Sequence, residues 1–65
     1  VKSYRIGSKS FNKALDAATH VECDGERYEI EYGQYDNPAG YDFVFFTVEG
    51  PALCFELGDK VKVGA

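Results

Sequence analysis

The sequence predicts a two-layer α+β domain, one short helix packed on a curved antiparallel sheet of about four to five strands in the order β-α-β-β-β-β. Three observations predict it. A single stretch has helical spacing, Phe11, Ala14, Leu15 and Ala18. An Asp24-Gly25 pair sits between two alternating runs, as in a tight hairpin. Several further short β-prone runs, each ended by Gly or Pro, complete a meander whose short links force antiparallel neighbours.

Tyr4-Arg5-Ile6 alternates apolar and charged residues and reads as a first strand, broken by Gly7-Ser8-Lys9. Ser10 offers a hydroxyl to cap a helix beginning at Phe11, with Asn12, Lys13, Asp16 and Thr19 turned to water. The apolar face of that helix is mostly alanine, which suits close docking on a sheet. Val21–Cys23 and Glu26–Tyr32 flank the Asp-Gly turn. In the second of these, Tyr28, Ile30 and Tyr32 are expected on the packed face and Arg27, Glu29 and Glu31 on the wet one. Gly33–Tyr41 is irregular, with turn signals at Asn37-Pro38 and Gly40. Asp42–Val48 is almost wholly apolar, as in a central strand covered on both faces. Leu53, Phe55 and Leu57 form another buried stripe. After Gly58-Asp59, Val61 and Val63 alternate with Lys60 and Lys62 in an edge strand guarded by charge. The 65 residues make one compact domain, spanning 1–65, near the lower size limit for independent folding.

Charge is distributed unevenly. Lys2, Arg5, Lys9 and Lys13 precede the first acid, Asp16, whereas Glu22–Asp42 carries seven acids against the single Arg27. The net charge of −4 opposes attraction to nucleic-acid phosphates or an anionic membrane. No apolar run approaches the ~20 residues that span a bilayer. Two cysteines, Cys23 and Cys54, are too few for a secreted disulfide framework, so free thiols in the cytoplasm are expected.

No motif announces catalysis. His20-x-x-Cys23 with a distant Cys54 lacks the two close ligand pairs of a structural zinc site, and there is no C-x-x-C. Gly7-Ser8-Lys9-Ser10 lacks phosphate-loop spacing. Glu22, Glu26, Glu29 and Glu31 are spaced for paired carboxylates, but acid–base work needs one of them partly buried, and the strand pattern leaves them in water. The expectation is therefore no enzyme, no cofactor and no metal.

The remaining signal is for recognition. Tyr is favoured at interfaces because it brings area at low entropy cost with a polar tip. Glu22, Asp24, Glu26, Glu29, Glu31, Tyr35, Asp36, Tyr41 and Asp42 are the candidate partner-binding residues. They suit another protein with a basic surface, with no direct nucleic-acid or membrane contact. The alternative is a self-associating protein, a homodimer that covers the second face of Phe43–Val48. In size, acidity and strand–helix–meander order the chain resembles phage-encoded inhibitors of host defence, including some anti-CRISPR proteins. The likeness is architectural, with no motif shared residue by residue. It implies carboxylates that compete with phosphates for an Arg- and Lys-lined groove.

Overall fold

The computed structural model describes all 65 residues, Val1–Ala65. Six strands and one helix follow as β1 (Lys2–Arg5), α1 (Lys9–Leu15), β2 (His20–Cys23), β3 (Glu26–Gln34), β4 (Phe43–Thr47), β5 (Leu53–Phe55) and β6 (Lys60–Gly64). Every pairing is antiparallel, and the strands lie side by side as β1-β6-β2-β3-β4-β5. The fold is thus α+β with the helix on one face of the sheet, and the sheet has six strands where four or five are expected. The last strand inserts between β1 and β2, which makes β1 an edge. Lys60 and Lys62 therefore belong to an interior strand, and the charged edge is the Lys2–Arg5 segment.

Ser8, and not Ser10, caps the helix. Its backbone is extended (φ −75°, ψ 160°), and its Oγ accepts a hydrogen bond from the Phe11 amide at 3.1 Å. Gly7 has already ended the strand, so the first extended hydroxyl residue after it takes the cap and the helix starts at Lys9. The helix lasts seven residues. Its C-cap is Asp16, so Ala18 lies beyond it yet still packs on the core.

The β2–β3 hairpin turns as its sequence dictates. Asp24 (φ 52°) and Gly25 (φ 79°) both occupy the left-handed region that a type I′ turn demands. Cross-strand partners share a face, so the pairs Val21↔Tyr28 and Val21↔Val63 place these three side chains inward. Ile30 follows on the same face, opposite Thr47.

Beyond Ile30 the alternation fails. The ladder runs Ile30↔Thr47 and then Tyr32↔Phe46, with a bulge between. One extra residue in β3 reverses the facing of everything after it. Tyr32 therefore turns out to solvent, 49% exposed, instead of joining Tyr28 and Ile30 inside. Gly33 takes the inward position. A Cβ there would lie 2.5 Å from Phe43 Cζ and 3.3 Å from Phe45 Cδ1, so only glycine lets the two rings sit against the backbone.

The core is Ile6, Phe11, Val21, Phe43, Phe45, Val61 and Val63. Phe11 is the helix's contribution, meeting Phe43 and Phe45 edge-on at ring-centroid distances of 5.2 and 6.1 Å. Burying each such ring is worth about 1.5–3 kcal/mol. The sheet curls around this cluster: Phe55 of β5 and Ser3 of β1, from opposite edges, line one cleft with Cys23 and Val61. The expected stripe Leu53, Phe55 and Leu57 is only half kept. Leu53 and Phe55 are half-buried, but Leu57 lies past the strand end and is 62% exposed. On the outer face Val44 is fully buried, and Phe46 lies under Tyr32 with ring centroids 4.7 Å apart and planes 28° apart.

Candidate functional site

The irregular segment after β3 is held from within by one side chain. Asn37 is buried, and its Nδ2 donates to the carbonyls of Tyr35 (3.1 Å) and Tyr41 (2.6 Å). Its Oδ1 accepts from the amides of Ala39 (3.1 Å) and Tyr41 (3.4 Å). One amide thus satisfies four backbone groups that a loop without a ladder would leave open. Proline follows immediately, fixing the turn with Gly40 (φ 84°).

That frame gathers four of the candidate residues. Tyr35, Asp36, Tyr41 and Asp42 line a shallow cleft with Asn37 and the exposed Leu57. Their freedom differs. The Tyr35 hydroxyl donates to Asn12 Oδ1 on the helix, and its ring meets Phe43 edge-on at 4.8 Å, so this tyrosine closes the core as it lines the cleft. Asp42 Oδ2 accepts from the Leu57 amide at 3.0 Å, tying the loop to the β5–β6 connection. Asp36 and Tyr41 are exposed, and neither side chain has a hydrogen-bond partner within the chain. These two are available to a partner at no structural cost.

The hairpin carboxylates do not form a second uniform face. Glu22 stands in register with Arg27 on one side and Lys62 on the other, flanked by positive charge. Glu29 makes the only ion pair in the structure, to Arg27 at 3.6 Å, with both side chains 62% exposed. Such a pair is worth little. Glu26 pairs with Cys23 and so faces the opposite way from Glu22 and Glu29, and Asp24 sits in the turn. Glu31 occupies the bulge. The candidate acids are therefore spread over both faces and the turn of the hairpin, the bulge and the loop cleft.

The residues with metal or nucleophile chemistry are dispersed. His20 and Cys23, three apart on a strand, point to opposite faces. His20 Nδ1 is 3.1 Å from Thr19 Oγ1, and its ring packs where a side chain at position 64 would be, which explains Gly64. Burial, and secondarily the adjacent Asp24 carboxylate, pushes the Cys23 thiol above its ordinary value, the reverse of activation. Cys54 is exposed on β5. No three His, Cys, Asp or Glu side chains cluster as a metal site would require. No helix is long and apolar enough to cross a membrane.

Sequence reasoning missed three contributors: Asn37 as the organiser of the loop, Leu57 on the cleft rim, and Tyr32 on the outer face. Gly33 inside a β-prone run was the available signal for the last, since strand glycines mark bulges and close approaches. Comparison with protein-family models, curated proteins and solved structures gave no match. The fold and its surface define a small α+β chain whose loop cleft carries exposed aromatic and carboxylate groups.

Proposed function

We propose that this chain is a small non-enzymatic binding module that docks an acidic, tyrosine-bearing surface on a basic surface of another protein. The observation that carries this reading is the loop cleft. There Asp36 and Tyr41 stand free beside the exposed Leu57, on a frame that Asn37 has already ordered. A rigid loop binds without first losing conformational entropy, and a carboxylate beside an aromatic ring complements Arg and Lys side chains. The same chemistry suits an inhibitor of phage or mobile-element origin that occupies the nucleic-acid-binding groove of a host protein. With a net charge of −4, its phosphate mimicry is partial.

The test is capture from a cell lysate with the chain as bait, beside the double variant Asp36→Asn, Tyr41→Ser. A basic protein retained by the first bait, lost on the second and released as salt rises supports the reading. Retention that ignores both the variant and ionic strength refutes it. The alternative, self-association through the aromatic strand β4, retains little support, because Phe43, Val44 and Phe45 are buried within one chain. A concentration-dependent dimer in light scattering would favour it.

A further inference from the structure

The sheet is open, and its two outermost strands differ. β5 pairs only with β4 and β1 only with β6. β5 has no charged side chain, whereas β1 carries Lys2 and Arg5, and Lys2, Ser3 and Arg5 are all exposed. Backbone bonding shows which groups β1 leaves open. The Ile6 amide donates to the Asp59 carbonyl at 2.9 Å, at the foot of β6. Antiparallel pairing alternates, so Tyr4 also bonds toward β6, while the Ser3 N–H and C=O and the Arg5 N–H turn to the free side. The Arg5 carbonyl, on that same side, accepts from the Ser8 amide at 3.1 Å. Tyr4 packs on the core, so Ser3 and Arg5 direct their side chains to the outer face, opposite Lys62 and Lys60. Arg5 Nη1 donates to the Gly58 carbonyl at 2.9 Å, which holds the guanidinium in place with donors to spare. Arg5, Lys60 and Lys62 make no ion pair in the chain, and the one acid in register with them, Glu22, lies beyond Lys62.

We propose that the free edge of β1 takes an extended acidic segment of another protein as a seventh strand. Open N–H and C=O groups supply hydrogen bonds to any strand, and side chains at alternate positions decide which strand is accepted. Here those positions hold Arg5, with Lys60 and Lys62 one strand behind. A segment with carboxylates two residues apart presents both of them on this face, while a basic segment is repelled. A second copy of this chain is rejected too, since pairing β1 with β1 brings the cations of both copies together. Nucleic acid fits less well. The net charge of −4 opposes phosphates, and a sugar–phosphate backbone has no N–H to give the Ser3 carbonyl. The edge shares no residue with the loop cleft and carries the opposite charge, so it goes beyond the function proposed above and stands without it.

The experiment titrates the full chain with the peptide acetyl-Thr-Glu-Val-Glu-Val-Thr-amide and with its counterpart carrying Lys in place of both Glu, following backbone amides by NMR. The acidic peptide should shift the amides of Ser3 and Arg5 and slow their hydrogen exchange. It should bind roughly two- to tenfold more tightly than the lysine peptide, from two cross-strand charge pairs. Arg5→Gln and Lys62→Gln should each reduce that preference, and the exposed Lys62→Gln keeps the test valid if loss of the Gly58 contact disturbs the Arg5 variant. Shifts that spare Ser3 and Arg5, equal affinity for the two peptides, or no response to either overturn the proposal. A hexathymidylate that moves the same amides at lower concentration than the acidic peptide assigns the edge to nucleic acid and overturns it as well.

Discussion

The two halves of β3 belong to one strand and obey opposite rules. In Glu26–Ile30 the alternation of sequence is the alternation of structure, with Tyr28 and Ile30 inward and Arg27 and Glu29 in water. In Glu31–Gln34 the glycine lies inward and the tyrosine outward. The first half is laddered to β2 in unbroken register behind the type I′ turn at Asp24-Gly25, so a slip of one residue would undo the turn as well as the pairing. The second half is laddered to β4 instead, past a bulge and with no turn to fix it, and its register follows the rings of β4. A segment pinned by a tight turn reports its facing through its own sequence, whereas one that lies past a bulge takes its facing from what it packs against.

The comparison can be broken most forcefully at the shared core. Phe45→Ala removes a ring that touches the helix, Phe43 and Phe55, and should cost about 3–5 kcal/mol in chemical denaturation, enough to unfold much of so small a domain. Gly33→Val tests the second half of β3. Its side chain must displace Phe43, so a loss of about 1–3 kcal/mol is expected, whereas Glu31→Val next to it should change stability by less than about 0.5 kcal/mol. A tolerated valine at position 33 would mean that the bulge does not place this residue inward.

Asn37→Ala removes four hydrogen bonds to part-buried backbone groups and should cost about 1–3 kcal/mol, with the amides of Ala39 and Tyr41 losing protection in hydrogen exchange. The capping assignment is sharpened by a pair of variants. Ser8→Ala should cost about 1 kcal/mol and Ser10→Ala a few tenths, measured in the same denaturation assay.

The smallest effect concerns the two thiols. Burial raises the Cys23 thiol above the ordinary range, so its neutral form is favoured in the folded chain. Its contribution to stability is complete below the unfolded thiol value of about 8.5 and is lost as pH rises through the higher folded value. Stability should decline slightly over that alkaline window, and Cys23→Ala should flatten the slope. In iodoacetamide labelling followed by mass spectrometry, exposed Cys54 should react before Cys23.

Local chemistry explains which parts were legible in the sequence. Asp24-Gly25 fixes its turn through positive φ, and the Phe11–Ala14–Leu15 stripe fixes a helix, so both could be read directly. The insertion of β6 between β1 and β2 could not, since nothing in Lys60–Gly64 records which strands lie on either side. The candidate acids were legible as a group but not as a surface. Pairing across the hairpin sends Glu26 one way and Glu29 the other, and sets Glu22 beside Lys62. Tyr35 illustrates the same limit, since a loop tyrosine is equally suited to a partner or to its own core. Here the ring reaches Phe43 and the hydroxyl reaches Asn12.

The most direct test of the account is a nuclear Overhauser spectrum of the aromatic rings in solution. Stacking of Tyr32 on Phe46 predicts strong cross-peaks between those two rings and none from Tyr32 to Phe11, which is wholly enclosed on the other side of the sheet. Cross-peaks from Tyr32 to Phe11, with none to Phe46, would place the ring in the core and contradict the bulge.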